Sequence, residues 1–225
     1  MFFDRRPVSG LLWLVKWAVA VLLATLIADC LYVMWPYPGD ARGVASFEAI
    51  VEHEWRSTIG MAGDRLPEIA YAIHDRLYVA FFRWTGLDYL LHGAIDAGVS
   101  QRPDALMARL VQASDTFLRT AATGLQLFSL KLGVLALSAP FVGLVTVGAA
   151  ADGFVTWYWR RTGGGRESGF VFHSAKRLGA HALLAFCFIY LVPPQAVDPR
   201  IAVTALVVAV ALAVRISVAN FKKYL

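Results

Sequence analysis

The sequence predicts an all-α integral membrane protein with four transmembrane helices and a helical extracytoplasmic insert between the first and the second. First, 58% of the 225 residues are hydrophobic, only 16% are charged and the mean hydropathy is +0.58, whereas soluble domains carry roughly 25% charged residues. Second, the apolar residues form tracts long enough to cross the roughly 30 Å hydrocarbon core of a bilayer. Third, the alternation typical of strands is nearly absent. This balance argues against a soluble globular domain and against an intrinsically disordered chain.

The predicted spans are residues 10–34, 121–156, 178–192 and 201–219. Arg5 and Arg6 precede the first tract as in a signal peptide, but the apolar run exceeds the roughly 7–15 residues of such a peptide, so we predict an uncleaved anchor. The third tract is shorter than the roughly 20 residues that a span needs. A helix that starts near residue 169, with Ser168 as its N-cap, reaches that length.

Basic residues indicate which side of the membrane each loop faces, because short cytoplasmic loops are rich in Lys and Arg. They occur in the N-terminal residues 1–9, in the loop 157–177 and in the tail 220–225. Four spans place all three segments on one side, so we expect both termini and this loop to be cytoplasmic. The insert, residues 35–120, and the short link 193–200 then lie outside the cytoplasm.

The insert has a net charge of −3, from eight Arg, no Lys and eleven acidic residues. Its apolar residues recur at helical spacing. They predict helices around Phe47–Trp55, Ile69–Phe81 and Leu87–Ala97, and a longer helix that opens at Asp104 and continues through the second span to Trp159. Asp64 is the predicted cap of the second of these helices and Gly86 marks its end. An insert of this size is small for an independent fold, so we expect it to lie on the membrane or to pack against a partner or another copy.

Four ionisable residues fall inside the first two spans, where charges are costly and often functional. Because these spans run antiparallel, we expect Lys16 to pair with Asp152 near one end and Asp29 with Lys131 near the other. Two such pairs would fix the register of the two helices. Alternatively, Lys16, Asp29 and Asp152 reach out to water, which is harder for the deeper Lys131. A transport pathway would need more inward-facing polar groups than the spans contain.

The sequence shows no arrangement that selects a catalytic mechanism. Phosphate-binding, zinc-hydrolase, nucleophile-elbow and paired-cysteine motifs are absent. Glu48 and Glu52 are four residues apart and could share a cation, but no recognised metal-ligand spacing surrounds them. We therefore expect no enzymatic activity, no cofactor and no metal.

The most informative stretch is the loop RRTGGGRESGFVFHSAKR, residues 160–177. It carries five basic residues, and its three consecutive glycines could present backbone N–H groups to an anion. One interpretation is a loop that meets acidic lipid head groups. The other is a docking surface for a cytoplasmic partner, since Arg166, Glu167 and Ser168 lie between glycines.

This loop resembles the hallmark of the integrating conjugative element membrane proteins, a bacterial membrane family of unknown function. The Gly-Arg-Glu-Ser core of that family is matched by Gly165 to Ser168, its Phe-Val-aromatic-His by Phe170 to His173, and its Ala-Lys-Arg by Ala175 to Arg177. The layout of one span, a helical insert and three further spans is also similar. The resemblance implies an inner-membrane protein encoded near a conjugative coupling ATPase of the type IV secretion class. It implies no catalytic residues.

The first functional hypothesis is therefore a non-enzymatic inner-membrane component of a conjugation machine that holds or recruits the coupling ATPase. Its expected docking residues are Arg160, Arg161, Gly165, Arg166, Glu167, Ser168, His173, Lys176 and Arg177. A second hypothesis is an exclusion or signalling protein that acts through the insert, and a third is a small transporter or channel. Expected contacts are other conjugation proteins, anionic lipid and further copies of the chain. Direct nucleic-acid contact is not expected, because lipid competes for the same charges.

Overall fold

The fold is all-helical, as shown by a computed structural model that describes residues 7–35, 43–88, 105–163, 169–195 and 197–221. The helices of these ranges are α1 (Pro7–Met34), α2 (Val44–Ala62), α3 (Arg65–Tyr78), α4 (Ala105–Thr162), α5 (Gly169–Leu191) and α6 (Pro199–Ala219). A π-helical turn, Val79–Arg83, extends α3. The described ranges contain no strand, which confirms the predicted all-α class.

Three helices contain segments long and apolar enough to cross a membrane: Val15–Met34 of α1, Ser114–Thr162 of α4 and Pro199–Ala219 of α6. These segments indicate a membrane protein. The described apolar segment of α5 is shorter, His181–Leu191, although the helix itself begins at Gly169, which is the longer of the two starts considered for it. The fourth span therefore rests on the sequence.

In the described part of the insert, a glycine with positive φ follows α2 and another follows the π-helical turn after α3. Gly63, at φ 77°, follows α2 and donates its N–H to the Ile59 carbonyl. Gly86, at φ 76°, follows the π-helical turn, and such a conformation favours glycine because it lacks a Cβ. Asp64 directly precedes α3, but its side chain accepts no capping hydrogen bond. The third predicted insert helix, residues 87–97, lies almost wholly outside the described residues.

The chain divides into two compact units, of which the first comprises residues 1–134 and 191–196. Its apolar core has two clusters. One contains Leu26, Phe82, Leu118, Ala121 and Leu125, and the other Val33, Phe47, Val51 and Leu127. Each cluster combines residues of α1, an insert helix and α4. The insert helices thus pack against helices of their own chain, which the hydrophobic pattern alone did not indicate.

Packing by the insert explains why this part of α4 is buried on nearly all sides. Leu125, Leu127 and Leu130 are each 1% exposed, and Gly133 lies against Leu66 and Ala70 of α3. An α-helix that is apolar all round is typical of such an enclosed position.

The second unit comprises residues 135–190 and 197–225. Its part of α4 exposes large apolar side chains, among them Phe141, Leu144 and Val147. Exposed apolar surface of this extent suits contact with lipid rather than water. Glycines bring its helices close together: a Cβ on Gly153 of α4 would lie 2.8 Å from the Arg215 carbonyl oxygen of α6, and one on Gly179 of α5 would lie 2.8 Å from the Ala213 Cβ. Small residues at crossings of this kind are typical of membrane helices.

We expect the substitution Gly153→Ala to destabilise the protein by about 1–3 kcal/mol, because the added methyl group meets the α6 main chain, which cannot move cheaply. The measurement is thermal unfolding of the full-length protein in detergent, followed by circular dichroism. Gly143→Ala is the matched control on the same helix, since nothing lies within 4 Å of its Cβ position. That control should be neutral or slightly stabilising. Equal melting temperatures for the two variants would contradict the close approach.

Candidate functional site

The first unit encloses a set of polar side chains among its apolar residues. Its members are Thr25, Asp29, Glu54, Thr58, Thr120, Ser129 and Lys131. Three of the hydroxyls donate to the carbonyl four residues earlier on their own helix: Thr25 to Val21, Thr120 to Thr116 and Ser129 to Leu125, over 2.7–2.9 Å. These bonds satisfy the hydroxyls locally. The three charged residues require tertiary partners, because an unpaired buried charge is very costly.

Lys131 of α4 is the centre of the charged set and is only 1% exposed. Its Nζ donates to the main-chain oxygen of Pro193 at 2.6 Å and, more weakly, to that of Gln195 at 3.5 Å. The carboxylates of Glu54 and Asp29 also act on it electrostatically, Glu54 the more strongly. One ammonium group thus connects α4 with the link after α5, with α2 and with α1. We call Lys131, Glu54 and Asp29 the buried charge cluster.

Asp29 of α1 is fully enclosed, with 0% of its surface exposed. Neither of its carboxylate oxygens has a hydrogen-bond partner in the part of the chain that the structure describes. The carboxylate lies directly against Gly124 of α4, where a Cβ would overlap Oδ2. Asp29 and Lys131, the predicted pair, therefore share one unit and interact electrostatically, but not through a hydrogen bond. Burial of a carboxylate without donors must be compensated by neighbouring positive charge.

Sequence reasoning gave Glu54 no role in this cluster, although a signal was present. Glu54 is spaced with Phe47, Val51 and Thr58 on one face of α2, and all four residues are buried. A carboxylate on an apolar helical face needs a buried cation, and Lys131 is the ionisable residue placed deepest in the apolar tracts of the sequence.

The second predicted pair has a different arrangement. Asp152 of α4 forms its ion pair with Arg215 of α6, because the close contact at Gly153 brings the main chain of Arg215 beside α4. Lys16, its predicted partner, has an exposed side chain. The Asp152 and Arg215 side chains are each more than half exposed, so this pair contributes little to stability.

The end of α4 that leads into the basic loop is held by the end of α6. Arg160 Nη1 donates to the Asn220 side-chain oxygen at 2.8 Å, and Trp157 Nε1 donates to the Phe221 carbonyl at 2.9 Å. The Arg161 guanidinium lies 5.3 Å from the centre of the Trp157 ring, within the range of a cation–π interaction. The positive charges of Arg160 and Arg161 also lie in the last turn of α4, where they interact favourably with the negative end of the helix dipole.

The other predicted docking residues lie in segments whose side chains the structure does not describe. Gly165, Arg166, Glu167 and Ser168 lie outside the described residues. His173, Lys176 and Arg177 belong to α5, but their side chains are likewise outside the description. Their role stays a prediction.

A cleft of about 470 Å³ opens between α2, α3 and α4 in the first unit. Its lining residues are Glu48, Val51, Glu52, Trp55, Tyr71, His74, Thr123 and Gln126. The Trp55 and Tyr71 rings lie with their centres 5.0 Å apart at 57°. Sequence reasoning noted Glu48 and Glu52 as neighbours, but it did not anticipate the aromatic wall from α3. In the part of the chain that the structure describes, no group of three or more His, Cys, Asp and Glu is placed to hold a metal ion.

Two residues of the insert have shifted pKa values. Burial lowers the pKa of His74 below its ordinary value of 6.5, opposed by a hydrogen bond with the Leu125 main chain and by the charge of Asp75. Its Nδ1 is buried, and no described residue forms a hydrogen bond with it. Burial, together with a 2.6 Å hydrogen bond to Asp88, raises the pKa of Tyr78 to about 12, so this phenol stays neutral and donates to Asp88.

Comparison with known proteins places this all-helical membrane chain in a family. A family model described as the IncC plasmid conjugative DNA transfer protein DtrJ-like matches residues 34–222. The chain belongs to the DtrJ-like family. Membership confirms the expected resemblance to conjugative-element proteins, and it implies a role in conjugative DNA transfer. The DtrJ-like match includes Glu54, Lys131 and the whole basic loop. No curated protein and no solved structure matches the chain.

We expect Lys131→Met to destabilise this DtrJ-like protein by about 3–5 kcal/mol, because the change leaves the Glu54 and Asp29 carboxylates buried without their cation. Unfolding in detergent, followed by circular dichroism, measures the loss. The double variant Lys131→Met/Glu54→Gln should recover part of it, since one of the two stranded charges is removed. Arg119→Met is the control: Arg119 pairs with Asp115 at the surface over 3.0 Å, and such pairs contribute about 1 kcal/mol or less. Equal losses for Lys131→Met and Arg119→Met would contradict the cluster.

We expect the stability of the folded insert to fall as the pH falls below 6.5. The pKa of His74 is lower in the folded than in the unfolded protein, so the unfolded state binds more protons in that interval and gains stability there. The contribution is complete above pH 6.5 and is lost as the pH falls toward the folded pKa. Melting temperatures of the wild type and of His74→Gln between pH 5 and 8 measure this effect. The wild type should lose more stability than the variant on acidification, and parallel curves would contradict the assignment.

Proposed function

We propose that this DtrJ-like protein is a non-enzymatic inner-membrane component of a conjugative DNA-transfer apparatus, and that its basic loop, residues 160–177, anchors or assists the coupling ATPase. Family membership supports the role in transfer. The finer assignment is supported by the charge of the loop and by the resemblance of its sequence to membrane proteins of integrating conjugative elements. The proposal includes the topology predicted from the sequence, in which the chain crosses the membrane four times and both termini and the loop are cytoplasmic.

The observation that carries the proposal is the attachment of the α4 end to the α6 end. Two hydrogen bonds, from Trp157 and Arg160, hold the last turns of α4 against residues 220–221. The loop therefore starts from a fixed position, with Arg160 and Arg161 already oriented. A docking surface benefits from such pre-organisation, because less conformational entropy is lost on binding. A loop that only meets lipid head groups does not require it.

The second candidate is an exclusion or signalling protein that acts through the insert. The cleft between α2, α3 and α4 favours it, since that cleft could receive another protein. The third interpretation is a small transporter or channel. The charged groups of the first unit are poorly suited to that function. Lys131 is bound by main-chain carbonyls and Asp29 is packed against Gly124, which is typical of structural rather than conducting residues.

We expect Arg166→Gln/Glu167→Gln to reduce co-purification of the coupling ATPase with the full-length protein from membranes by about tenfold or more, since hydrogen bonds to charged groups contribute about 1.5–3 kcal/mol each. The transfer frequency should fall in parallel at equal protein levels. The double change leaves the net charge of the loop unaltered, so attraction to anionic lipid is preserved. Lys222→Gln/Lys223→Gln is the control, because it removes two charges outside the loop. Loss of the ATPase in the tail variant alone would contradict docking by the loop.

A further inference from the structure

The cleft of the first unit combines three features that a cation recognises. The Trp55 and Tyr71 rings form a wall on α2 and α3, and the faces of such rings attract positive charge. Glu48 and Glu52, one turn apart on α2, add two carboxylates. The other polar lining groups, His74, Thr123 and Gln126, all carry acceptor atoms.

The charge balance of this cleft is incomplete within the chain. Among the described residues that line it, none is a Lys or an Arg. Glu48 forms no ion pair in the part of the chain that the structure describes, whereas Glu52 pairs with Arg56 on the outer surface. The Nδ1 of His74 is buried and has no hydrogen-bond partner among the described residues, although the neutral imidazole has one acceptor nitrogen. An acceptor-rich site with a carboxylate and an aromatic wall suits a ligand that supplies positive charge and several N–H groups.

We propose that this cleft binds a basic side chain, with a guanidinium as its best fit, from a peptide segment of a partner protein on the same side of the membrane. A guanidinium presents five N–H donors in a plane and stacks on aromatic rings. In the proposed complex the guanidinium plane stacks on the Trp55 ring and its donors face the Glu48 carboxylate. The volume of about 470 Å³ is within the range of ligand pockets, and it accommodates the aliphatic stem and adjoining main chain as well as the charged group.

This proposal goes beyond the function proposed for the basic loop and depends on none of its residues. The cleft is formed by insert helices and by α4 before residue 134, whereas the loop follows residue 159. Loss of ATPase capture and loss of peptide binding are therefore separate results, obtained with different variants.

The experiment measures binding of a short blocked peptide with two arginines to the full-length protein in detergent, by isothermal titration. The same peptide with citrulline in place of arginine is the probe control, since citrulline keeps the shape and loses the charge. The arginine peptide should bind and the citrulline peptide should not. Equal binding of both, or binding of tetramethylammonium but not of the arginine peptide, would overturn the proposal.

Substitutions of the exposed Glu48 and of the half-buried Trp55 test the site. Glu48→Gln should weaken binding by about tenfold, which corresponds to about 1.4 kcal/mol, whereas Glu68→Gln, an exposed change on α3 outside the cleft, should not. Trp55→Phe should weaken binding less than Trp55→Leu, because phenylalanine retains a ring face. Insensitivity to Glu48→Gln would overturn the proposal.

Arg56 supplies a variant with the opposite expected effect. Arg56 forms an ion pair with Glu52 on the outer surface, and its side chain is 76% exposed. Arg56→Gln should free that carboxylate and tighten binding of the arginine peptide by about two- to fivefold, in keeping with the strength of a surface ion pair. Weaker binding by this variant would contradict the role of Glu52.

Discussion

The described part of the first unit is organised around the buried ammonium group of Lys131. Lys131 is enclosed by apolar side chains, and it is stable there only because main-chain oxygens of Pro193 and Gln195 and the carboxylates of Glu54 and Asp29 surround it. The cost of dehydrating three charges is repaid only if all three are present. The position of α2 against α4, and of the link after α5, is thus specified more sharply than apolar packing alone would specify it. Buried polar groups of this kind restrict a fold to one arrangement.

Local structure followed largely from the amino-acid pattern. Helical spacing of apolar residues located α2 and α3. The helix predicted to continue from Asp104 through the second span to Trp159 is one long helix in the structure, Ala105–Thr162. Gly86 ends its helix region because a positive φ suits a residue without a Cβ. Asp64, by contrast, has helical φ and ψ, and its side chain forms no capping hydrogen bond. The presence of an Asp therefore predicted where α3 begins, but not how its first turn is stabilised.

Tertiary partners could not be derived in the same way. The spacing of apolar residues shows which face of a helix is buried. It does not show which other helix covers that face, because several helices have faces of similar apolarity. The insert covers α1 and α4 of its own chain, Glu54 outweighs Asp29 as the partner of Lys131, and Asp152 meets Arg215. Each of these depends on distances between helices, which the sequence does not contain. The wall of the cleft was missed for the same reason, since Trp55 and Tyr71 are on different helices.

Burial of Asp29 has a consequence for biosynthesis. Lys131 follows Asp29 by about a hundred residues, so α1 reaches the membrane before the cation that faces Asp29 in the folded unit has been synthesised. Apolar residues of α1 must offset the penalty of inserting it, which for a helix centre is about 2.5–3.5 kcal/mol and is smaller near a helix end. The depth of α1 in the bilayer is therefore fixed only after α4 has been inserted and Lys131 has come to face Asp29.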